Sequence, residues 1–180
     1  MEQFRIIAII LRQMFKSLAY IIVLAIGVPI LIGLAAGIPA GVMLGFVSST
    51  ALLQATASPV GVGLDLPPAV ILAAMTSFAL GMTLAIFEIC DTFAKTSERV
   101  QQWLEKVEKK MQKVTIIHKY GVISCMFISW IPGLGLYSTP VIAWLFRWNR
   151  IPAAIFTVFG FFLVALAFLL LAEGVIQVVL

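Results

Sequence analysis

The stretch KYGVISCMFISWIPGLGLYSTPVIAWLFRWNR, residues 119–150, decides the fold of this chain. It is apolar in the middle and basic at both ends, with Lys119 at one end and Arg147 and Arg150 at the other. Basic residues collect on the cytoplasmic side of membrane proteins. Both ends then lie on one side of the membrane, so the sequence predicts a re-entrant helical hairpin that is broken at Pro132. The alternative is one tilted transmembrane helix, which would place both arginines outside.

The composition of the whole chain favours lipid as its surroundings. Of the 180 residues, 62% are hydrophobic and 11% are charged, whereas a soluble domain carries roughly 25% charged residues. Backbone groups in lipid need internal hydrogen-bond partners, which leaves helices or a closed barrel. The apolar runs are continuous and lack the alternating polarity of barrel strands. We therefore expect an all-α, polytopic helical protein that crosses the cell membrane several times.

Three further apolar runs are long enough to span a bilayer. They cover residues 17–36, 67–90 and 152–173. The first run contains Pro29, where we expect a kink whose freed carbonyl is satisfied by a neighbouring segment.

A second re-entrant hairpin is expected in the first half of the chain. Residues 37–54 begin with the helix-breaking sequence Gly37-Ile38-Pro39-Ala40-Gly41 and continue apolar, and a polar, glycine-bearing loop follows up to Asp65. No lysine or arginine lies between residues 37 and 68. This segment is therefore expected to dip into the membrane from the outside and to return there.

The two halves of the chain have the same order of parts. Ile38-Pro39-Ala40-Gly41 resembles Ile131-Pro132-Gly133-Leu134-Gly135, and Leu66-Pro67-Pro68-Ala69 aligns with Arg150-Ile151-Pro152-Ala153. Because the two halves would have opposite orientations, they would form an inverted repeat. Inverted repeats with broken helices near the midplane are typical of transporters.

We expect a single membrane domain with three parts. These are residues 1–90, a first half that includes an N-terminal amphipathic helix; residues 91–119, a cytoplasmic amphipathic helix; and residues 120–180, a second half. In the middle part Val100, Trp103, Leu104 and Val107 recur at helical spacing, opposite a face of lysines. This pattern predicts a helix that lies on the membrane surface or against a partner.

Candidate substrate-binding residues lie at the helix breaks and at the basic boundary. Irregular backbone survives inside a bilayer only where it is buried or lines a cavity, and a guanidinium group fits the geometry of a phosphate. The candidates are Pro39, Gly41, Pro132, Gly133, Gly135, Tyr137, Ser138, Arg147 and Arg150. In the alternative interpretation the two arginines only mark the cytoplasmic boundary.

Three carboxylates, Glu88, Asp91 and Glu173, are candidates for ion coupling. A charged side chain inside a bilayer costs a few kcal/mol at the centre and less towards the ends. Glu88 and Asp91 share one helix face because they are three residues apart. The alternative is that both lie at the interface, where Asp91 would pair with Lys95 one turn later.

The sequence contains no recognisable constellation of a soluble enzyme. It has no phosphate-binding loop, no cysteine pair at metal-ligand spacing and no nucleophile elbow. We expect no catalytic residues, no metal and no cofactor, and no nucleic-acid partner. The expected partners are membrane lipid and a small amphipathic substrate. Small residues spaced by four predict close packing against a re-entrant hairpin or a homodimer seam; they are Ala69, Ala73, Ser77, Gly81 and Ala85.

Three short motifs carry a resemblance to a known family. They are Lys119-Tyr120-Gly121, Ile131-Pro132-Gly133-Leu134-Gly135 and Arg150-Ile151-Pro152-Ala153. In these the chain resembles the small multidrug export family, which is similar in turn to the DedA superfamily. The resemblance implies paired re-entrant loops and an exporter linked to lipid or polyprenyl-phosphate translocation. The chain departs from the DedA pattern of acidic and arginine residues because its first loop carries no charge before Asp65.

Two functions follow as hypotheses. The first is a small transporter that moves an amphipathic, drug-like or lipid-like substrate by alternating access around two opposed hairpins. The second is a membrane scaffold that transports nothing and recruits a partner through the amphipathic helix of residues 91–119. Flux in proteoliposomes distinguishes them.

Overall fold

The computed structural model describes residues 2–96, 115–131 and 135–179, and within them the side chains of residues 11–94, 121–131 and 135–174. Every element described is helical, which confirms the expected all-α class for these residues. In chain order the elements are α1 (Glu2–Tyr20), a π-helix (Ile21–Gly27), α2 (Val28–Ala35), α3 (Ala40–Leu53), a 3₁₀ turn (Gln54–Ala57), α4 (Ser58–Gly63), α5 (Pro68–Thr96), α6 (Thr115–Ile128), α7 (Gly135–Leu145) and α8 (Arg150–Val179).

Four helical stretches are long and apolar enough to cross a membrane, namely Leu11–Ala35, Ala40–Gly63, Pro68–Ala94 and Arg150–Gly174. Their outer surfaces carry large apolar side chains, for example Leu31, Leu52 and Ile151. Exposed apolar surface of this extent is costly in water and neutral in lipid. The described helices are therefore compatible with a multi-pass membrane protein.

The first span is one continuous helix that widens into a π-helix just before Pro29. There the Val28 N–H bonds to the Val23 carbonyl. The Leu24 carbonyl would take the next N–H along the chain, but Pro29 has none. Instead, the Ser77 hydroxyl in α5 donates a hydrogen bond to the Leu24 carbonyl at 2.7 Å. The prediction that a neighbour satisfies the carbonyl freed by Pro29 is thereby confirmed.

α1 and the π-helix pack antiparallel against α5. Ser17 in α1 donates to the Ala85 carbonyl at 3.3 Å. At Gly81, a Cβ atom would lie 2.7 Å from the Ala25 backbone nitrogen. At Ser77, Gly81 and Ala85 the close partner of α5 is therefore the first span, whereas the sequence predicted a hairpin there.

The Ala40–Gly63 stretch is not a straight helix, because the chain folds back at Gln54. This residue has φ 56° and ψ −129°, and a Cβ added at Gly61 would lie 2.8 Å from the Phe46 ring. A continuous helix would separate Gly61 and Phe46 by roughly 22 Å. We call residues 40–63 the first folded segment. Its reversal lies at the end of the predicted dip, and the return arm α4 replaces the loop that the sequence predicted.

Residues 115–145, the second folded segment, fold back in the same way. Gly121 in α6 lies directly against the indole of Trp148, which follows α7. Cys125 of α6 and Ala143 of α7 belong to one buried cluster with Trp148. At the start of α7, a Cβ added at Gly135 would lie 2.5 Å from the Ser129 carbonyl oxygen. The two arms therefore run side by side, which a single tilted helix does not permit.

Three helices end in the same backbone motif, with one residue in the left-handed conformation. The residues are Gly37 (φ 77°), Asp65 (φ 55°) and Arg147 (φ 52°). The following N–H then bonds back to a carbonyl of the last turn, from Leu66 to Gly61 at 3.1 Å and from Trp148 to Ala143 at 3.0 Å. This is the Schellman cap, which satisfies a helix's unpaired carbonyls.

The two folded segments adjoin opposite ends of α5. The second segment leads through Trp148 into Arg150, which lies beside Asp91 near the end of α5. The first segment leads into Pro68, at the beginning of α5. We call the end with Asp91, Arg147 and Arg150 the basic end. Arg12 and Lys16 also lie at this end, because α1 and α5 are antiparallel.

Part of the expected cytoplasmic helix lies outside the described residues. Its first residues, up to Thr96, continue α5, and its last residues begin α6 at Thr115. The proposed apolar face with Trp103, Leu104 and Val107 falls between them, outside the described residues.

Candidate binding site at the basic end

Asp91 joins three helices at the basic end. Its Oδ1 accepts a hydrogen bond from the Trp144 indole Nε1 of α7 at 3.0 Å. Its Oδ2 forms an ion pair with the Arg150 guanidinium of α8. The Asp91 side chain is 14% exposed and that of Arg150 is 49% exposed. This arrangement fixes the end of α5 against the return arm of the second folded segment and against the start of α8.

The described partners of Asp91 come from other helices. Helix spacing indicated Lys95, one turn further along α5, but the Lys95 side chain lies outside the described residues, so that pair stays a prediction. Arg150 comes from a different helix and reaches Asp91 only because the second folded segment brings α8 alongside α5. Sequence spacing alone could not reveal this pair.

A cavity of about 750 Å³ lies next to this ion pair, and we call it the polar cavity because several charged and polar side chains line it. Its walls include Asp91, Arg147, Asn149, Arg150 and the two indoles of residues 144 and 148. The charged groups in its described wall are two guanidinium groups and one carboxylate. Together with the Asn149 amide they offer hydrogen-bonding groups to a polar headgroup.

A second cavity of about 560 Å³ forms a groove along α5 and α8, with Tyr20 from the end of α1 at its side. It extends from Thr76 to Glu88 on α5, which is roughly 18 Å at the rise of a helix. Its walls are almost entirely apolar, and among the described residues that line it Glu88 and Arg150 are the charged ones. Arg150 thus borders both cavities, with Glu88 on one side and Asp91 on the other.

The two folded segments touch where each one reverses. The Gln54 Oε1 atom, in the first segment, accepts a hydrogen bond from the Leu136 N–H at the start of α7, at 3.3 Å. The Tyr137 hydroxyl donates to the Ala51 carbonyl at 2.5 Å. Gln54 is 2% exposed, so its carboxamide caps α7 in a buried position.

The remaining candidates from the sequence lie elsewhere. Pro39 and Gly41 are exposed at the start of α3, a whole helix away from the reversal at Gln54. Glu173 lies towards the far end of α8, roughly 34 Å along the helix from Arg150. Of these residues, none reaches the basic end.

The candidates around the second reversal divide into two groups. Tyr137 contacts the first folded segment, and Gly135 and Ser138 share the same helix start. Pro132 and Gly133 lie outside the described residues.

Two residues of the site were missed from the sequence, namely Gln54 and Trp144. Gln54 is the only amide side chain between residues 14 and 100, inside an otherwise apolar region. A polar residue in such a position requires a partner, and this signal was available. Trp144 gave no signal, because an indole beside a basic boundary is ordinary in membrane proteins.

No protein-family model, curated protein or solved structure matches this chain, so its function has to be inferred from the geometry of these residues.

Proposed function

We propose that this protein is a small integral membrane transporter that moves an amphipathic, drug-like or lipid-like substrate across the bilayer. In this proposal the two folded segments are re-entrant hairpins, and the two halves form an inverted repeat. The observation that carries it is the meeting of the two reversals, where Leu136 and Tyr137 of the second segment bond to Gln54 and Ala51 of the first.

The lengths of the arms support re-entrance. α3 has 14 residues and α7 has 11, which gives roughly 21 Å and 16 Å of helix. The hydrocarbon core of a bilayer is about 30 Å thick. Neither arm crosses it alone, but two arms that enter from opposite ends and meet span it together. Broken helices that meet near the midplane are the arrangement used by inverted-repeat transporters.

The backbone at Gln54 supports a moving part. Its φ of 56° with ψ of −129° is unfavourable for a residue with a side chain, and such conformations cost of the order of 1–3 kcal/mol. The contacts of the Gln54 carboxamide hold the strained state in place. If they are released, the first folded segment can relax. The two reversals, which we call the tips of the folded segments, then have two alternative arrangements.

The chemistry of the basic end supports an amphipathic substrate. A polar cavity with Arg147 and Arg150 adjoins an apolar groove, and Arg150 borders both. A molecule with a charged head and an apolar body matches this pair of cavities. By the distribution of basic residues this end faces the cytoplasm, and the protein lies in the cell membrane.

Membership of the small multidrug export family belongs to the same proposal. Arg150-Ile151-Pro152, one of the three resembling motifs, lines the polar cavity, so this motif contributes to the site. No enzymatic step is part of the proposed function.

Transport is tested by linking the two tips reversibly. Cys90 and Cys125 are first replaced by alanine, and cysteines are then placed at Ala51 and Tyr137. The protein is reconstituted into vesicles, and uptake of a fluorescent amphiphile is followed before linking with a reducible bis-methanethiosulfonate, after linking, and after reduction. We expect flux to be lost on linking and restored on reduction, so each sample is its own control.

Two results would contradict the proposal. Flux that continues unchanged in fully linked protein would show that the tips do not move. Complete absence of flux, in protein that is folded and correctly inserted, would favour the scaffold function, in which residues 91–119 recruit a partner.

A further inference from the structure

The apolar groove along α5 and α8 contains one carboxylate with no partner. Among the side chains that the structure describes, Glu88 has no hydrogen bond and no ion pair; only its backbone carbonyl is used, by the Thr92 hydroxyl at 2.8 Å. The other charged residue of the groove, Arg150, is already neutralised by Asp91. The groove therefore presents one uncompensated negative charge.

Aromatic rings surround the same groove. Tyr20 comes from α1, Phe87 from α5, and Phe159 and Phe162 from α8. The faces of aromatic rings carry negative electrostatic potential, so they attract cations and disfavour anions. Several aromatic rings together with a carboxylate are the arrangement by which proteins recognise large organic cations.

The rim of the groove is open to the outer surface. Ile151, Ile155 and Phe159 are 76%, 60% and 50% exposed, and they border the groove on α8. In the membrane proposed above, this rim faces lipid. A ligand that partitions into the bilayer can therefore enter from the side.

We infer that this groove binds a lipophilic organic cation, with the Glu88 carboxylate as its counter-ion and the aromatic rings around its apolar body. This inference rests on the proposed transport function only for its biological meaning, because it names the substrate class that the transporter would take. Binding itself needs only the folded protein.

The charge preference of the groove is tested with two ions of equal size and opposite charge. Tetraphenylphosphonium and tetraphenylborate have the same shape, so a difference in affinity reports the sign of the site. Binding is measured by titration calorimetry with the full chain in micelles of a non-ionic detergent, because the dipole potential of a bilayer would itself favour the anion, and the signal of empty micelles is subtracted. We expect tetraphenylphosphonium to bind at least tenfold more tightly than tetraphenylborate.

Variants assign the binding to the groove. Glu88→Gln should reduce the affinity for tetraphenylphosphonium at least tenfold and abolish the preference over the borate. Asp65→Asn, a carboxylate at the opposite end, should change neither value. Phe159→Leu keeps the apolar surface and removes one ring, so it should weaken binding about threefold or more. It tests the site independently if the Glu88 variant does not fold.

The inference is overturned if the two ions bind equally, if the borate binds better, if the preference survives in folded Glu88→Gln protein, or if Phe159→Leu leaves the affinity for tetraphenylphosphonium unchanged. Its outcome is separate from that of the transport proposal. Selective binding without flux would leave this site standing and remove transport, whereas flux without selective binding would leave transport standing and remove this site.

Discussion

Replacing Gly135 by alanine tests whether residues 115–145 really fold back. A Cβ atom at this position would lie 2.5 Å from the Ser129 carbonyl oxygen, 2.7 Å from the Ser129 carbonyl carbon and 2.8 Å from the Ile128 carbonyl oxygen. All three are backbone atoms, so they cannot move aside as a flexible side chain would. In a straight helix no such atoms would lie within reach, and alanine would be favourable.

The expected magnitude follows from these distances. Inserting a methyl group into a filled site costs about 1–3 kcal/mol, which for a chain of this size lowers the melting temperature by several degrees, at roughly 2–4 °C per kcal/mol. Gly45→Ala is the matched control, because Gly45 lies within α3 with nothing within 4 Å of an added Cβ. There alanine should gain up to about 1 kcal/mol through its higher helix propensity.

The two variants should therefore move in opposite directions. Thermal unfolding of the purified protein in detergent, followed by the loss of monodisperse protein, measures both shifts against the parent. If Gly135→Ala melts at the same temperature as the parent or above it, as Gly45→Ala should, the backbone of residues 128–129 does not lie against α7. The interpretation of this segment as folded back, and the re-entrant hairpin built on it, would then be wrong.

Three more outcomes are expected. In a variant without native cysteines, cysteines at the exposed positions Gly63 and Asn149 should react with an impermeant maleimide from opposite sides of the membrane; labelling from one side would exclude the inverted arrangement. Asp65→Gly should raise stability by roughly 0.5 kcal/mol and Gly37→Ala should lower it by about 1 kcal/mol, because both residues have positive φ; equal shifts in thermal melts would contradict the shared cap. Ser77→Ala should cost roughly 1 kcal/mol by leaving a carbonyl of the first span unpaired, and a silent substitution would show that water replaces the hydroxyl.

The sequence was sufficient for the helical class and for the position of most helices. Continuous apolar runs indicated the spans, and Pro29 with its unpaired carbonyl was interpreted correctly because proline chemistry is local. The position of the reversal in the first folded segment was misplaced. Gly37 and Pro39 attracted attention as helix breakers, yet they only begin α3, whereas the reversal depends on Gln54, whose conformation no local rule predicts.

The site was predictable only in part. Glu88, Asp91 and Arg150 were identified because charges are rare in apolar sequence, and the structure places all three around two adjoining cavities. Their pairing was not predictable, since the Asp91 to Arg150 contact depends on how the second folded segment returns the chain. Such non-local contacts depend on the fold and leave no spacing signal.

The two reversals turn the chain by different chemistry, and this difference explains why residue 54 is a glutamine. The second reversal uses Gly135, whose missing side chain lets backbone pass backbone at contact distance. At its start, α7 has N–H groups without partners inside the helix, and in lipid each must be satisfied. A glycine at residue 54 would adopt the same φ without strain, but it has no side-chain atom that could accept the hydrogen bond from Leu136. The carboxamide of Gln54 does so at 3.3 Å, so the strain of the first reversal is offset by the cap it provides to the second. Gln54 thereby joins the two reversals, beside the hydrogen bond from the Tyr137 hydroxyl to the Ala51 carbonyl.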